Sequence, residues 1–140
     1  MFVLDTNVIS ELMRAAPDRR VARWIGTRPS SSLFTTSISV AEVLYGVAIL
    51  PAGKRQKAIA AAAEQMFAED FEARVLPFDS NAAATFARIA AERRRKGRPI
   101  AQADAQIAAI VASRGATLAT RNVADFDDTG LAIVDPWTGR

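Results

Sequence analysis

The 140-residue sequence contains no cysteine and no histidine. The absence of cysteine excludes disulfide bonds and thiolate zinc sites. The absence of histidine excludes imidazole metal ligands, Ser-His-Asp triads and general acid–base catalysis by an imidazole. Any bound metal must therefore be held by oxygen atoms, which are the ligands that Mg²⁺ and Mn²⁺ prefer.

Long apolar runs are also absent. No run approaches the roughly 18 residues of a membrane span, and the apolar amino terminus is interrupted by Asp5 and lacks the basic region of a signal peptide. We therefore expect a cytoplasmic protein, and the length predicts a single domain over residues 1–140. Half of the residues are hydrophobic and the net charge is +3, a balance that weakly favours a polyanionic partner.

Short apolar segments alternate with segments of helical periodicity along the chain. Strands are predicted at 2–4, 33–37, 74–78, 116–120 and 131–134. Helices are predicted near 8–13, 19–26, 39–50, 54–72, 82–96 and 100–114, the last opened by Pro99. This alternation predicts an α/β fold, a three-layer α/β/α sandwich with a short, mostly parallel central sheet.

Four acidic residues occupy comparable positions in this predicted fold. Asp5 ends the first strand, and Glu42 lies in the first turn of the helix after the second strand. Asp104 lies early in the helix that follows Pro99, and Asp125 comes just after the fourth strand. In a parallel sheet these positions fall on the carboxyl side of the strands, where ligands bind in open α/β folds.

Carboxylates that converge repel one another unless a cation neutralises them. Because the chain has no imidazole or thiolate, the sequence predicts that these four residues hold a hard divalent cation. Such an ion orients a phosphate, stabilises negative charge on its oxygens and lowers the pKa of a bound water. The predicted chemistry is therefore hydrolysis of a phosphodiester bond.

Each acidic residue also has a purely structural interpretation. Asp5 could cap a turn, and Glu42 could close a capping box that begins at Ser39. Asp104 suits the positive end of a helix dipole, and Asp125 could be a solvated loop residue. None of these interpretations explains why the four residues share one placement.

Further polar residues flank the predicted site. Thr6, Asn7 and Asn122 could support a metal shell with hydroxyl or amide groups, or could cap turns. Arg121 follows the fourth strand and could contact phosphate. A basic run shortly before Asp104 could attract an RNA backbone in a salt-sensitive manner, or could be a solvated helix end. Its cations are Arg93, Arg94, Arg95, Lys96 and Arg98.

Four segments of the sequence resemble motifs of the PIN-domain ribonucleases. They are Val3–Glu11, Thr36–Gly46, Ile100–Ala108 and Thr120–Phe126, and residues 131–137 resemble the closing strand and tail of that family. The set occurs in order and at similar separations over essentially the whole chain. It is most similar to the toxins of bacterial VapBC-type toxin–antitoxin pairs, including the FitB-like branch.

The resemblance implies a set of functional properties. Asp5, Glu42, Asp104 and Asp125 would be metal-binding catalytic residues, with Asn122 as an alternative to Asp125 for the fourth position. The family implies an endoribonuclease that depends on Mg²⁺ or Mn²⁺, is usually a homodimer and is inhibited by a cognate DNA-binding antitoxin. Candidate residues for an antitoxin groove or dimer surface, or alternatively for ordinary core, are Leu12, Trp24, Leu44 and Tyr45.

Two other functions are compatible with parts of the sequence. A haloacid-dehalogenase-type phosphohydrolase also opens with a strand that ends in aspartate, but it needs a second aspartate two residues later, where this chain has Asn7. A non-catalytic subunit could act mainly through a DNA-binding toxin–antitoxin complex. That alternative stands alone only if the protein binds no metal.

Overall fold

The computed structural model describes all 140 residues and contains a five-stranded sheet in which every pairing is parallel. The strands are β1 (Phe2–Leu4), β2 (Leu33–Thr36), β3 (Val75–Leu76), β4 (Thr117–Ala119) and β5 (Ala132–Val134). Their order across the sheet is β3-β2-β1-β4-β5. The predicted strands and the parallel sheet are confirmed, with each strand as long as predicted or a few residues shorter.

Six helices connect the strands and cover both faces of the sheet. They are α1 (Thr6–Leu12), α2 (Arg19–Gly26), α3 (Ser37–Ala48), α4 (Lys54–Gln65), α5 (Ser80–Arg95) and α6 (Gln102–Ser113). None of them combines the length and the apolar character that a bilayer crossing requires. The arrangement confirms the predicted three-layer α/β/α architecture.

The hydrophobic core is divided into two clusters by the sheet. Side chains alternate along each strand, so Val3 packs with α5 and α6, whereas the next residue, Leu4, packs with α1, α2, α3 and α4. Leu118 and Ala119 of β4 divide in the same way. Because both faces are covered, β1 and β4 are buried in the centre of the molecule.

The amino terminus of α3 differs from the prediction in a way that matters for Glu42. The helix begins at Ser37, two residues before the predicted start, because Thr36 is the cap: its Oγ1 accepts the Ser39 backbone N–H at 3.0 Å. The predicted capping box from Ser39 to Glu42 is therefore wrong. The Glu42 carboxylate is not used in capping and extends toward α1.

Other helix boundaries also differ from the prediction: α1 and α5 each begin two residues before their predicted starts, and α6 and α4 differ as follows. Helix α6 begins at Gln102, so Pro99 precedes the helix instead of opening it. Helix α4 ends at Gln65 and continues as one π-helical turn over Met66–Asp70. In this turn the Phe71 backbone N–H donates to the Met66 carbonyl at 3.2 Å. The sequence predicted a helix up to residue 72 because Phe71, which lies beyond the α-helix, is an apolar residue that packs into the core.

Candidate active site

The order of the strands places β1 at the middle of the sheet, between β2 and β4. The chain steps from β1 to β2 and β3 in one direction, and β4 and β5 lie on the other side of β1. The switch point therefore lies between β1 and β4, where ligands bind in open α/β sheets. Asp5 follows β1 and Thr120 follows β4 at this point.

Asp5 is held in a fixed orientation at the switch point. It is buried, with 4% of its surface exposed. One carboxylate oxygen accepts the Thr6 backbone N–H at 2.8 Å, and the other accepts the Thr120 hydroxyl at 2.7 Å. Burial raises the pKa of Asp5, the two hydrogen bonds oppose that rise, and the negative charges of Glu42 and Asp125 add to it.

Thr6 links the start of α1 to Glu42 on α3. Its hydroxyl lies 2.7 Å from Glu42 Oε1 and 2.9 Å from Ser39 Oγ. Because a hydroxyl has one proton and a carboxylate only accepts, Thr6 donates to Glu42 and accepts from Ser39. Glu42 itself is exposed at the edge of the sheet, so its second oxygen is open to water or a ligand.

Asp104 lies in the first turn of α6 and is half-buried. Burial, and then the charges of Asp5, Asp125 and Glu42, raise its pKa to about 6, whereas Arg93 acts in the opposite direction. The four predicted carboxylates therefore act on one another electrostatically across the same edge of the sheet. This mutual repulsion is the state that a divalent cation would relieve.

Thr120 organises the polar groups between β1 and β4. Its hydroxyl donates to Asp5 and accepts from Asn7 Nδ2 at 3.2 Å and from the Asn122 backbone N–H at 3.0 Å. One donor and two acceptor positions are thus all used. Asn7 also accepts the Arg121 backbone N–H at 3.4 Å.

The segment that carries Asp125 is attached to the end of α5. The residues 123–126 form a short 3₁₀ turn on which the Asp125 side chain is exposed. Its backbone carbonyl accepts from the guanidinium of buried Arg93 at 3.0 Å, and the Asp127 carbonyl accepts from the same group at 2.9 Å. Arg93 also donates to the Arg98 carbonyl at 2.7 Å.

The basic run was predicted as one RNA-binding surface, and the structure divides it. Arg93 is 5% exposed and committed to three backbone carbonyls, so we leave it out of that surface. Arg98 pairs with Asp127 and Asp128, and Lys96 lies 3.9 Å from Asp128. The two cations that are exposed and make no ion pair are Arg94 and Arg95.

Of the four candidate docking residues, two belong to the core and two are exposed on the surface. Trp24 is buried in the core and Leu12 packs against it, whereas Leu44 is 37% exposed and Tyr45 is 67% exposed on α3. Only the α3 residues can form a docking surface. Ile49, 65% exposed one turn beyond Tyr45, extends that apolar surface.

The donor chemistry of this edge fits a hard divalent cation, but not a fully enclosed one. No three of the acidic side chains form a compact cluster that could enclose an ion directly. Mg²⁺ commonly keeps several waters and binds one or two carboxylates directly. Buried, oriented Asp5 and half-buried Asp104 suit direct contacts, and exposed Glu42 and Asp125 suit contacts through water.

Two site residues were not among those predicted from the sequence. Thr120 bonds Asp5 across a separation of 115 residues, and Ser39 bonds Thr6 across 33. Thr120 could have been identified from its position, because it directly follows β4 in the same way that Asp5 directly follows β1. Ser39 carried no comparable signal, since its contact depends on how α1 packs on α3.

Comparison with known proteins agrees with this geometry. The PIN domain family model matches residues 2–130, and the chain belongs to the PIN-domain family. Within that family it groups with VapC and FitB toxins. VapC ribonuclease Y4jK of Sinorhizobium fredii is 42% identical over 137 residues, 98% of each chain. Toxin FitB of Neisseria gonorrhoeae is 38% identical over 98% of this chain and 99% of its own.

Solved structures show the same fold. The FitAcB structure from Neisseria gonorrhoeae superposes with a TM-score of 0.91 at 38% identity, covering 98% of this chain and 99% of the other. DNA-bound VapBC from Salmonella typhimurium superposes with a TM-score of 0.81 at 30% identity, covering 96% and 97%. The PIN-like sandwich predicted from the sequence is thereby confirmed.

Proposed function

We propose that the chain is an endoribonuclease that depends on Mg²⁺ or Mn²⁺ and serves as the toxin of a VapBC-type pair. One observation carries the proposal: Asp5, Glu42, Asp104 and Asp125 lie at one edge of the sheet, where burial and the charges of neighbouring carboxylates raise the pKa of Asp5 and that of Asp104. The ribonuclease and endonuclease names of several relatives support the assignment to RNA.

The residues of the site have two roles: some would bind the ion, and others orient the residues that bind it. Asp5 and Asp104 would hold the divalent ion, and Glu42 and Asp125 would hold its waters. When bound, such an ion stabilises charge on a phosphate and lowers the pKa of a coordinated water. Thr120 and the Thr6 backbone N–H fix the two oxygens of Asp5, so that a ligand need not reorient the carboxylate.

The replacement Asp5→Asn tests the proposal. It keeps the shape of the side chain but removes its charge, so we expect RNA cleavage in Mn²⁺ to fall below about 1% of wild type, on the scale of losing a key electrostatic group. The matched control is Asp70→Asn, an exposed aspartate without an ion pair, which should cleave like wild type. Cleavage that persists in Asp5→Asn, or in wild type with excess EDTA, would contradict the proposal.

A calorimetric Mn²⁺ titration separates this function from the non-catalytic alternative. We expect wild type to bind Mn²⁺ and Asp5→Asn to bind it at least about tenfold more weakly, because a direct carboxylate contact is lost. A wild-type protein that binds no metal and cleaves no RNA would favour a subunit that acts only through a DNA-binding complex.

The apolar α3 surface formed by Leu44, Tyr45 and Ile49 supports the further proposal of protein partners, a homodimer and a cognate antitoxin. Contiguous exposed apolar residues mark interaction sites. VapBC-5 of Mycobacterium tuberculosis, a member of the VapBC family of toxin–antitoxin systems, is 27% identical over 94% of this chain and 93% of its own, with a TM-score of 0.67.

A further inference from the structure

A second concave surface lies between α2 and the carboxyl-terminal tail. It encloses about 310 Å³, which is near the lower end of the roughly 300–1,000 Å³ that small-ligand sites occupy. We call it the arginine–tryptophan pocket. The residues that line it and carry its chemistry are Arg20, Arg23, Arg28, Trp24, Trp137 and Thr138.

The pocket carries positive charge that nearby acidic residues do not fully neutralise. Arg20 is neutralised, because it donates to both oxygens of Asp18 at 3.1 and 2.9 Å and also lies in the field of Asp135. Arg23 is exposed and makes no ion pair or hydrogen bond through its side chain. Arg28 has no acidic partner. An anion in the pocket would therefore meet Arg23 and Arg28.

Arg28 is already fixed in position. Its guanidinium carbon lies 3.8 Å from the centre of the Trp24 ring and 4.9 Å from that of Phe2, and it donates to the Trp24 carbonyl at 2.8 Å. A guanidinium held against aromatic rings loses little conformational freedom when it binds a ligand. Its planar outer surface is also one on which a nucleobase can stack.

Contacts made by Trp137 and Arg121 connect the pocket to the candidate active site. Trp137 lines the pocket, and the Arg121 guanidinium carbon lies 5.0 Å from the centre of its ring. Arg121 follows Thr120, which bonds Asp5, and its backbone N–H contacts Asn7. Arg121 therefore lies beside the pocket through its contact with Trp137, and beside Asp5 through its neighbour Thr120.

We propose that the arginine–tryptophan pocket binds a nucleotide of single-stranded RNA next to the bond that is cleaved, with its phosphate on Arg23 and Arg28. This inference rests on the proposed ribonuclease function and extends it to the path of the substrate. Guanidinium groups beside aromatic rings bind single-stranded nucleic acid without reading its sequence. A nucleotide fits better than an acidic peptide, because Trp137 and Arg121 connect the pocket to a site suited to phosphate chemistry.

RNA affinity in a cleavage-deficient background provides the first test. Binding of a fluorescein-labelled single-stranded RNA to Asp5→Asn protein is measured by anisotropy over a series of KCl concentrations, with and without Arg23→Glu. We expect the added change to weaken binding about tenfold and to lower the slope of log K against log salt by about 1, since a phosphate contact is lost.

The matched control is Arg88→Glu on α5, which packs on the opposite face of the sheet from α2. Arg88 is exposed and makes only a 3.9 Å contact with Glu92, so the charge change is the same and the pocket is untouched. Equal affinities and equal salt slopes for the Arg23 and Arg88 variants would overturn the proposal. So would a loss of affinity for the purified antitoxin with unchanged RNA affinity, because it would assign the pocket to the protein partner.

Cleavage of RNAs of decreasing length provides the second test and separates this inference from the proposed function. In a protein with an intact Asp5, Arg23→Glu should slow the cleavage of long RNA and have no effect once the RNA is too short to reach the pocket. An equal effect at every length would contradict a pocket beside the cleaved bond. Failure of the wild-type protein to cleave any of these RNAs would instead contradict the ribonuclease function.

Discussion

At the scale of single residues, Thr120 is the connection between the two central strands of the site. Its hydroxyl donates a hydrogen bond to Asp5 and accepts one from the Asn7 side chain and one from the Asn122 backbone N–H. It is completely buried, so no water can replace a lost partner. Its contribution should therefore appear in both folding stability and cleavage.

We predict that Thr120→Val lowers the free energy of unfolding by about 2 kcal/mol, because a similar volume is kept while buried partners lose their hydrogen bonds. It should also slow cleavage, since Asp5 is no longer held. Urea denaturation and a cleavage assay measure the two effects. Thr120→Ser keeps the hydroxyl and should behave nearly like wild type; a serine variant as impaired as the valine variant would show that packing, and not hydrogen bonding, matters there.

Asp104 should make the stability of the metal-free protein depend on pH. Its pKa is about 6 in the folded protein against an ordinary value of 3.8. The unfolded state therefore releases this proton at lower pH, and stability falls as the pH rises from about 4 to 6. Because the side chain is partly solvated, we expect the loss to be about 1 kcal/mol.

We predict that Asp104→Asn removes this loss. In EDTA the variant should be more stable than wild type at pH 7 and equal to it near pH 3.5, as measured by thermal denaturation across pH. Asp70→Asn, on the exposed turn after α4, should show no such pH-dependent gain. A wild-type advantage at pH 7 would contradict the assigned repulsion.

At the scale of secondary structure, the carboxyl end of α5 is attached to the turn that carries Asp125. Arg93 makes that attachment through carbonyls of Arg98, Asp125 and Asp127. The cation thus acts on the candidate site by holding a backbone segment in place. The exposed Arg94, next in sequence, has no such contacts.

We predict that Arg93→Met lowers the free energy of unfolding by about 3 kcal/mol, because a buried donor is removed from several carbonyls. Arg94→Met, the matched replacement one residue later, should change it by less than about 0.5 kcal/mol. The midpoints of urea denaturation give the comparison. Similar midpoints for the two variants would show that Arg93 does not hold the turn.

The burial of Arg93 could have been read from the helical period, whereas other features could not. Ala82, Phe86 and Ile89 pack on the core at spacings of four and three residues, and a further step of four reaches Arg93. The start of α3 had no such signal, because both Thr36 and Ser39 are good caps. The strand itself decided between them, since β2 ends at Thr36.

At the scale of the whole molecule, the sequence was sufficient to predict the parallel sheet and the residues that follow its strands. Strands that end in polar residues define one edge in any parallel sheet, so Asp5 and Asp125 could be grouped without knowing the strand order. The contacts of Thr120 and the arginine–tryptophan pocket could not be predicted. They depend on which strands are neighbours and on where the tail returns to α2.

The apolar surface on α3 bears on the assembly of the molecule. We predict that the wild-type protein sediments with about twice its chain mass of 15.0 kDa, and that Ile49→Glu shifts it to the single-chain mass by placing a charge in an apolar contact. Ala87→Glu, at an exposed position of α5, should leave the mass unchanged. A dimer that survives Ile49→Glu would place the interface elsewhere.

The pairing of β1 with β4 also has a consequence for synthesis of the protein. Asp5 leaves the ribosome well before the strand that flanks it, Thr117–Ala119, and 115 residues before its hydroxyl partner Thr120. A nascent chain that stops short of β4 cannot assemble this edge. Whatever chemistry the edge performs therefore begins only after β4 and Thr120 have been translated, so translation products that stop before β4 should be inactive.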